Sequence, residues 1–267
     1  MPAISTRGLR KEYKTKATSV VAVDGIDLDI EDGEIFGLLG PNGAGKTTTI
    51  QMLATIVRPT AGSATVAGFD IGRDPAKVRQ QCGIVFQEPT LDTILTAKEN
   101  LELHGRLYGV PAKLREERIN DLLKVVELES RKNDLVKTFS GGMKRRLEIA
   151  RGIMHHPRVL FLDEPTLGLD PQSRERVWHY IREMALAEKT TIILTTHYMD
   201  EADRLCERIG IIDHGKIIAL DTPANLKKRV GVDTLNEVFL RLAGRDIRDE
   251  PGEGGDFMTT VIQSQNR

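Results

Sequence analysis

Gly40-Pro41-Asn42-Gly43-Ala44-Gly45-Lys46-Thr47-Thr48 fits G-x-x-x-x-G-K-[ST] with every fixed position filled, by Gly40, Gly45, Lys46 and Thr47. Before it runs the apolar stretch Ile35-Phe36-Gly37-Leu38-Leu39, the pattern of a strand buried on both faces. After it, Ile50, Leu53 and Ile56 recur at helical spacing, predicting a helix from Thr48 to Ile56. Strand, glycine loop and helix are the context this motif requires. Glycines let backbone N–H groups turn inward around phosphate oxygens, and a helix N-terminus adds favourable partial charge. Lys46 is placed to reach the β- and γ-phosphates, and Thr47 to offer its hydroxyl to Mg²⁺. A glycine-rich turn with an exposed lysine is the competing explanation, and few such turns fill all fixed positions in this context. The stretch predicts a nucleoside triphosphate site.

The rest of the chain must build a fold around that loop. Its 267 residues suffice for one large α/β domain, or a core with a small appendix. Hydrophobic residues at 40% and charged residues at 29% fit a soluble globular protein. A net charge of −1 implies no global attraction to nucleic acid or anionic lipid. Cys82 and Cys206 lack metal-type spacing and read as ordinary thiols of a reducing compartment. The N-terminus lacks the apolar segment of a signal peptide, and no apolar run approaches the ~20 residues that span a bilayer. Work at a membrane would therefore need a spanning partner.

Residues 1–33 read as antiparallel strands: Ile26, Leu28 and Ile30 alternate with Asp27, Asp29 and Glu31, and Asp24-Gly25 and Asp32-Gly33 read as turns. Tyr13 is either an adenine-stacking ring or a simple strand residue. Another short strand is bounded by turns at Pro59–Gly62 and Ala67-Gly68, and Gly83–Phe86 reads as a buried strand ending in Gln87. Residues 88–138 change character, with charged helical periodicity carried by Leu101, Leu107, Ile119, Leu122, Leu123 and Val126. Together with the helix that follows Ser140 they suggest a helical subdomain over about 88–156. Val159–Leu162 is an apolar strand that stops at Asp163-Glu164, and Thr191–Thr196 one that stops at His197. Ile209–Ile212 and Ile217–Leu220 form a hairpin around His214-Gly215. The expected division is a domain over 1–222 and an extension over 223–267 with one short helix and a disordered end from about Asp249.

Gly40, Gln87, Asp163-Glu164 and His197 each follow an apolar strand. In an open parallel sheet ligands bind at the carboxyl ends of strands, so these groups predict one shared rim. Phosphoryl transfer assigns the roles: Asp163 on Mg²⁺, Glu164 as general base, Gln87 on both metal and water, His197 on the γ-phosphate. Ser140-Gly141-Gly142 opens another helix. A serine N-cap explains Ser140, whereas two adjoining glycines weaken a helix start and suit a phosphate approaching bare backbone. A second anion site for one nucleotide suggests two copies arranged head to tail. The basic residues Lys144, Arg145, Arg146 and Arg151 read as a solvated helix face rather than a nucleic-acid surface.

With these motifs in order, the chain resembles the ATP-binding subunits of ABC transporters over residues 1 to about 222. Tyr13 matches the adenine-stacking position, Gly40 to Thr48 (with Pro41, Asn42, Gly43 and Ala44) Walker A, and Gln87 the Q-loop. Ser140 to Lys144 match the signature, Leu160 to Glu164 Walker B, Leu169-Asp170 the D-loop and His197 the switch histidine. Gln87 to Thr96, Phe139 to Glu148 and Leu235 to Arg245 look like the drug-export, daunorubicin-resistance-like branch. The resemblance implies an α/β fold: a P-loop NTPase (RecA-like) core with an antiparallel β subdomain and an inserted α-helical subdomain. It also implies ATP and Mg²⁺ as cofactors. Two copies would sandwich the ATP on the cytoplasmic face of the cell membrane, under a separate integral-membrane permease touched by the helical subdomain. Met143 and Phe139 depart from the glutamine and leucine common in the family signature. Methionine cannot complete a capping box with Ser140. The expected function is ATP hydrolysis driving efflux of a drug-like or amphipathic substrate, with no nucleic-acid partner. Alternatives are a soluble ABC ATPase acting on ribosomes or nucleic acid, for which the chain lacks a second cassette and long heptads, and a P-loop kinase, which would need neither Ser140-Gly141-Gly142 nor His197.

Overall fold

The apolar runs become strands and the periodic segments helices in the computed structural model, which describes residues 2–14 and 18–243. In chain order the elements are β1 (Ile4–Lys14), β2 (Ser19–Ile30), β3 (Ile35–Leu39), α1 (Lys46–Leu53), β4 (Ala61–Val66), β5 (Phe69–Asp70), α2 (Pro75–Gln81) and β6 (Cys82–Val85). The inserted helices α3 (Ala97–Leu107) and α4 (Ala112–Val125) follow, then α5 (Gly141–Ile153), β7 (Val159–Asp163), α6 (Pro171–Glu188) and β8 (Thr191–Thr196). The chain continues through α7 (Met199–Leu205), β9 (Arg208–Asp213), β10 (Lys216–Asp221), α8 (Pro223–Val230) and α9 (Leu235–Ala243).

β3 lies inside a six-stranded sheet of order β10-β9-β3-β8-β7-β6, parallel except for β10. Its side chains alternate between two cores. Ile35 and Leu39 join Leu160, Leu162, Ile192 and Leu194 on one face, while Phe36 and Leu38 join Phe161 and Ile193 on the other. This is why the strand reads as continuously apolar. The second face is covered by an antiparallel sheet of order β2-β1-β4-β5. α3, α4 and the start of α5 enclose a third cluster around Leu101, Ile119, Leu123 and Leu147.

Three sequence expectations change. Asp24-Gly25 is no turn: it lies within β2 at a break in register, where Leu9 pairs with Ile26 and Arg10 with Asp24. Such a bulge lets a long strand bend while pairing continues. The helix after the phosphate loop starts at Lys46 and stops at Leu53; Thr55 turns to a φ of 61° and Ile56 is left 50% exposed. After Thr222 two helices form, where one is expected. Thr222 caps α8, accepting from the Asn225 N–H at 3.2 Å, with Pro223 in the first turn. α8 and α9 put Leu226, Leu235, Val238 and Phe239 into the same core as Leu205 and Ile211. The expected disordered end from Asp249 lies outside the described residues.

Candidate active site

The parallel register sets Leu39 beside Thr196, Asp163 beside Thr195 and Val85 beside Leu162. The carboxyl ends of β3, β8, β7 and β6 therefore share one edge, with Gly40, His197, Glu164 and Gln87 on or just beyond it. The phosphate loop leaves β3 and turns into α1 at Gly45, whose φ of 108° and 2.4 Å approach of a would-be Cβ to Ala22 O exclude a side chain. In the loop Ala44 is buried, Asn42 and Gly43 are exposed, and Thr48 is buried behind it. Lys46, 5% exposed, donates to Gly40 O at 2.8 Å and Pro41 O at 3.2 Å, folding back over its own loop.

Lys46 Nζ also lies 3.7 Å from Glu164 Oε1, and His197 Nδ1 lies 3.3 Å from Glu164 Oε2. His197 sits in ion-pair range but off the line of a strong hydrogen bond. Burial alone would raise the Glu164 pKa; His197 and Lys46 outweigh it and hold the carboxyl below its ordinary value. The Glu164 backbone takes a left-handed φ of 49°, and its N–H is held by Thr195 O at 3.1 Å. Asp163, 2% exposed, accepts from Thr195 Oγ1 and, at 3.3 Å, from Thr47 Oγ1. Burial pushes its carboxyl up, opposed by those two hydroxyls.

These oxygens fit Mg²⁺, which takes one or two carboxylates and otherwise keeps water and substrate phosphate as ligands. A hydroxyl on a buried carboxylate is a hard oxygen pair, and no cluster of three or more ligating side chains occurs among the described residues. Gln87 is exposed just past β6 and makes no side-chain hydrogen bond to Thr47 or Asp163.

Tyr13 lies near the end of β1 with its ring packed. It is 3% exposed beside Ala22 and Val57, with Lys11 Nζ 4.9 Å from its ring centre. Ser140 caps α5, accepting from Met143 N–H at 3.3 Å. Its two glycines differ. A Cβ on Gly141 would meet open space, whereas one on Gly142 would come within 2.9 Å of Ser173 Oγ. Asp170 caps α6 through the same Ser173, at 3.0 Å to N and 2.6 Å to Oγ. The starts of α5 and α6 thus meet at Ser173.

The solvated-face expectation fails for Arg145, Arg146 and Arg151, three of the four basic residues named on α5. Arg145 is 7% exposed, with five acceptors around its guanidinium. Arg146 donates to Val126 O at 2.8 Å, and Arg151 to Thr90 O at 2.8 Å. These cations serve the fold. Sequence reading also misses Thr195, Glu148 and Glu201. Glu201, fully buried on α7, accepts from Thr166 Oγ1 and Trp178 Nε1, each at 2.8 Å. The available signals were a hydroxyl near the end of an apolar strand, an Arg–Glu pair three apart on α5, and an acid four residues after His197.

A phosphate loop on an inner parallel strand, with an acid pair and a histidine on the same edge, defines an α/β nucleotide hydrolase of the P-loop class. The sequence profile described as ABC transporter matches residues 23–167. The chain belongs to the ABC transporter family, as an ATP-binding subunit that hydrolyses ATP. It is 46% identical over 248 residues to the daunorubicin/doxorubicin resistance ATP-binding protein DrrA of Streptomyces peucetius, covering 93% of this chain and 73% of that protein. It is 43% identical over 245 residues to the linearmycin resistance ATP-binding protein LnrL of Bacillus subtilis, covering 89% and 77%. Among solved structures it resembles the dimeric, post-hydrolysis ATP-binding cassette MJ0796 bound to ADP and Pi, at a TM-score of 0.74 and 27% identity over 82% of this chain and 98% of that one. Within the family the chain groups with the drug-export branch.

Proposed function

We propose that this chain powers export of a drug-like or other amphipathic molecule through a separate membrane permease, working as a pair of identical copies on the cytoplasmic face. The observation that carries the catalytic part is the Glu164 carboxylate, held between Lys46 and His197 at the end of β7. Glu164 is ionised at neutral pH and acts as general base on the attacking water. His197 orients that carboxylate and contacts the γ-phosphate. Lys46, with backbone N–H groups of Gly40 to Thr48, exchanges its contacts to the loop carbonyls for the phosphates. Thr47 and Asp163, with Gln87 swung in from the rim, would hold Mg²⁺, which when bound neutralises developing charge on the phosphate oxygens.

The phosphate of the partner copy's nucleotide meets Ser140 and Gly141, where the backbone is open, and Asp170 borders the same contact. Gly142 serves there chiefly by letting α5 close on Ser173. Residues 1–222 hold the nucleotide machinery, and the helical subdomain over about 88–156 faces the permease. No described helix is long and apolar enough to cross a membrane, which suits a division of labour with a spanning partner. Resistance proteins among the relatives support the export reading. A ribosome- or nucleic-acid-acting ATPase draws no support, since Arg145, Arg146 and Arg151 of α5 are engaged within the fold.

Purification of the tagged chain from detergent-solubilised native membranes tests the assignment. A polytopic membrane protein in near-equal amount is the expected companion. Ribosomal proteins or nucleic acid, with the membrane fraction empty, would sink it.

A further inference from the structure

The side chain of Arg145 is the most heavily engaged group near the site, yet it makes no hydrogen bond to the phosphate loop or to the side chain of any proposed ligand. Each of its N–H donors has an acceptor. Nε donates to Pro165 O at 2.6 Å, Nη2 to Asp163 O at 3.0 Å and Glu164 O at 2.9 Å, and Nη1 to Phe86 O and to Glu148 Oε2 at 3.3 Å. Three consecutive carbonyls, 163 to 165, thus converge on one planar fork. They bracket the residue whose backbone is left-handed, Glu164 at a φ of 49°. A non-glycine residue holds that conformation only when its surroundings over-determine it.

Glu148, 1% exposed, extends the restraint. Its Oε1 accepts from Thr90 N at 2.6 Å. Phe86 O and Thr90 N lie on either side of Gln87, so the pair grips both shoulders of that segment. Burying a guanidinium and a carboxylate is costly unless their hydrogen bonds are filled, and here the fork is filled. Apolar packing could hold α5 against β7 more cheaply. What an apolar contact could not do is fix three carbonyls and two loop shoulders in one geometry.

We propose that Arg145 is a positioning residue for ATP hydrolysis, holding the 163–165 backbone, and through it the Glu164 carboxylate, in working geometry while Glu148 ties the Gln87 segment to the same frame. Because Ser140 caps the start of α5, the fork also links the helix end that meets the partner's nucleotide to this chain's own base. The inference rests on the reading of Glu164 as base.

Its test compares the purified full chain with Arg145→Lys, which keeps the charge but loses the fork. A second variant, the double Arg145→Gln/Glu148→Gln, leaves no lone buried charge should the single variant fold poorly. Turnover is measured per nucleotide-binding site, with KM for ATP and the thermal midpoint recorded alongside. Misplacing a reacting group by about 1 Å costs on the order of a hundredfold, so kcat should fall about ten- to a hundredfold while KM stays within about twofold. Unchanged kcat per site in a folded variant overturns the proposal, as does a KM that rises in step with the loss of kcat/KM. Glu164→Gln is run in parallel: parental turnover there overturns the base reading itself, a different failure from intact turnover in the Arg145 variants.

Discussion

Glu164 holds a backbone conformation that few non-glycine residues adopt, and every neighbour described around it serves either that backbone or its carboxylate. Lys46 is the one lysine of the phosphate loop, so Lys46→Ala should abolish ATP turnover in a phosphate-release assay. Glu164→Gln keeps the size and loses the base. It should bind ATP, lose on the order of a hundredfold or more in hydrolysis and form an ATP-dependent dimer by gel filtration. The pH behaviour follows from the depressed Glu164 pKa. A base held below its ordinary value stays ionised as the pH falls, so the acid limb of kcat/KM should lie below the usual carboxylate range. His197 is among the groups that lower it, after opposing burial, and His197→Gln removes that contribution. The acid limb of that variant should move to higher pH in whatever activity remains, and a limb that stays in place would count against the contact.

Among the helices, two N-termini invite comparison. Thr96 and Glu99 form a complete capping box at α3, with Glu99 N–H donating to Thr96 Oγ1 at 3.1 Å and Thr96 N–H donating to Glu99 at 2.8 Å. α5 has only the serine half, because Met143 stands where a glutamine could accept the Ser140 N–H. Met143→Gln should therefore stabilise the protein by about 0.5 kcal/mol, near the low end for a designed cap. That corresponds to a rise of about 1–2 °C in thermal midpoint, readable by calorimetry. The serine half was legible in sequence as S-G-G before a periodic run. The glycines were legible only as a pair, and their separate reasons, an open approach at Gly141 and Ser173 packing at Gly142, depend on where α6 lies.

For the whole molecule, the described part of the extension, residues 223–243, is physically part of the core. Phe239, 1% exposed, packs in the cluster that also holds Leu205 and Ile211. Phe239→Ala should cost about 3–5 kcal/mol, lowering the thermal midpoint on the order of 10 °C; a midpoint within a degree or two of the parent would show the tail is dispensable. What the sequence by itself determined was the local grammar: the phosphate loop between strand and helix, the apolar strands with polar ends, and the change to helical periodicity after Gln87. These are short-range signals, because motif spacing and side-chain period are properties of neighbouring residues. Asp24-Gly25 shows the limit, since the same dipeptide serves a turn or a bulge and only pairing with β1 decides. Tertiary structure alone decided that Tyr13 is packed, that Arg145 is buried under five acceptors, and that α8 and α9 seal the sheet. Each depends on a partner remote in sequence, such as the 163–165 carbonyls for Arg145 or Val57 for Tyr13, and charge or hydropathy carries no record of which remote group will arrive.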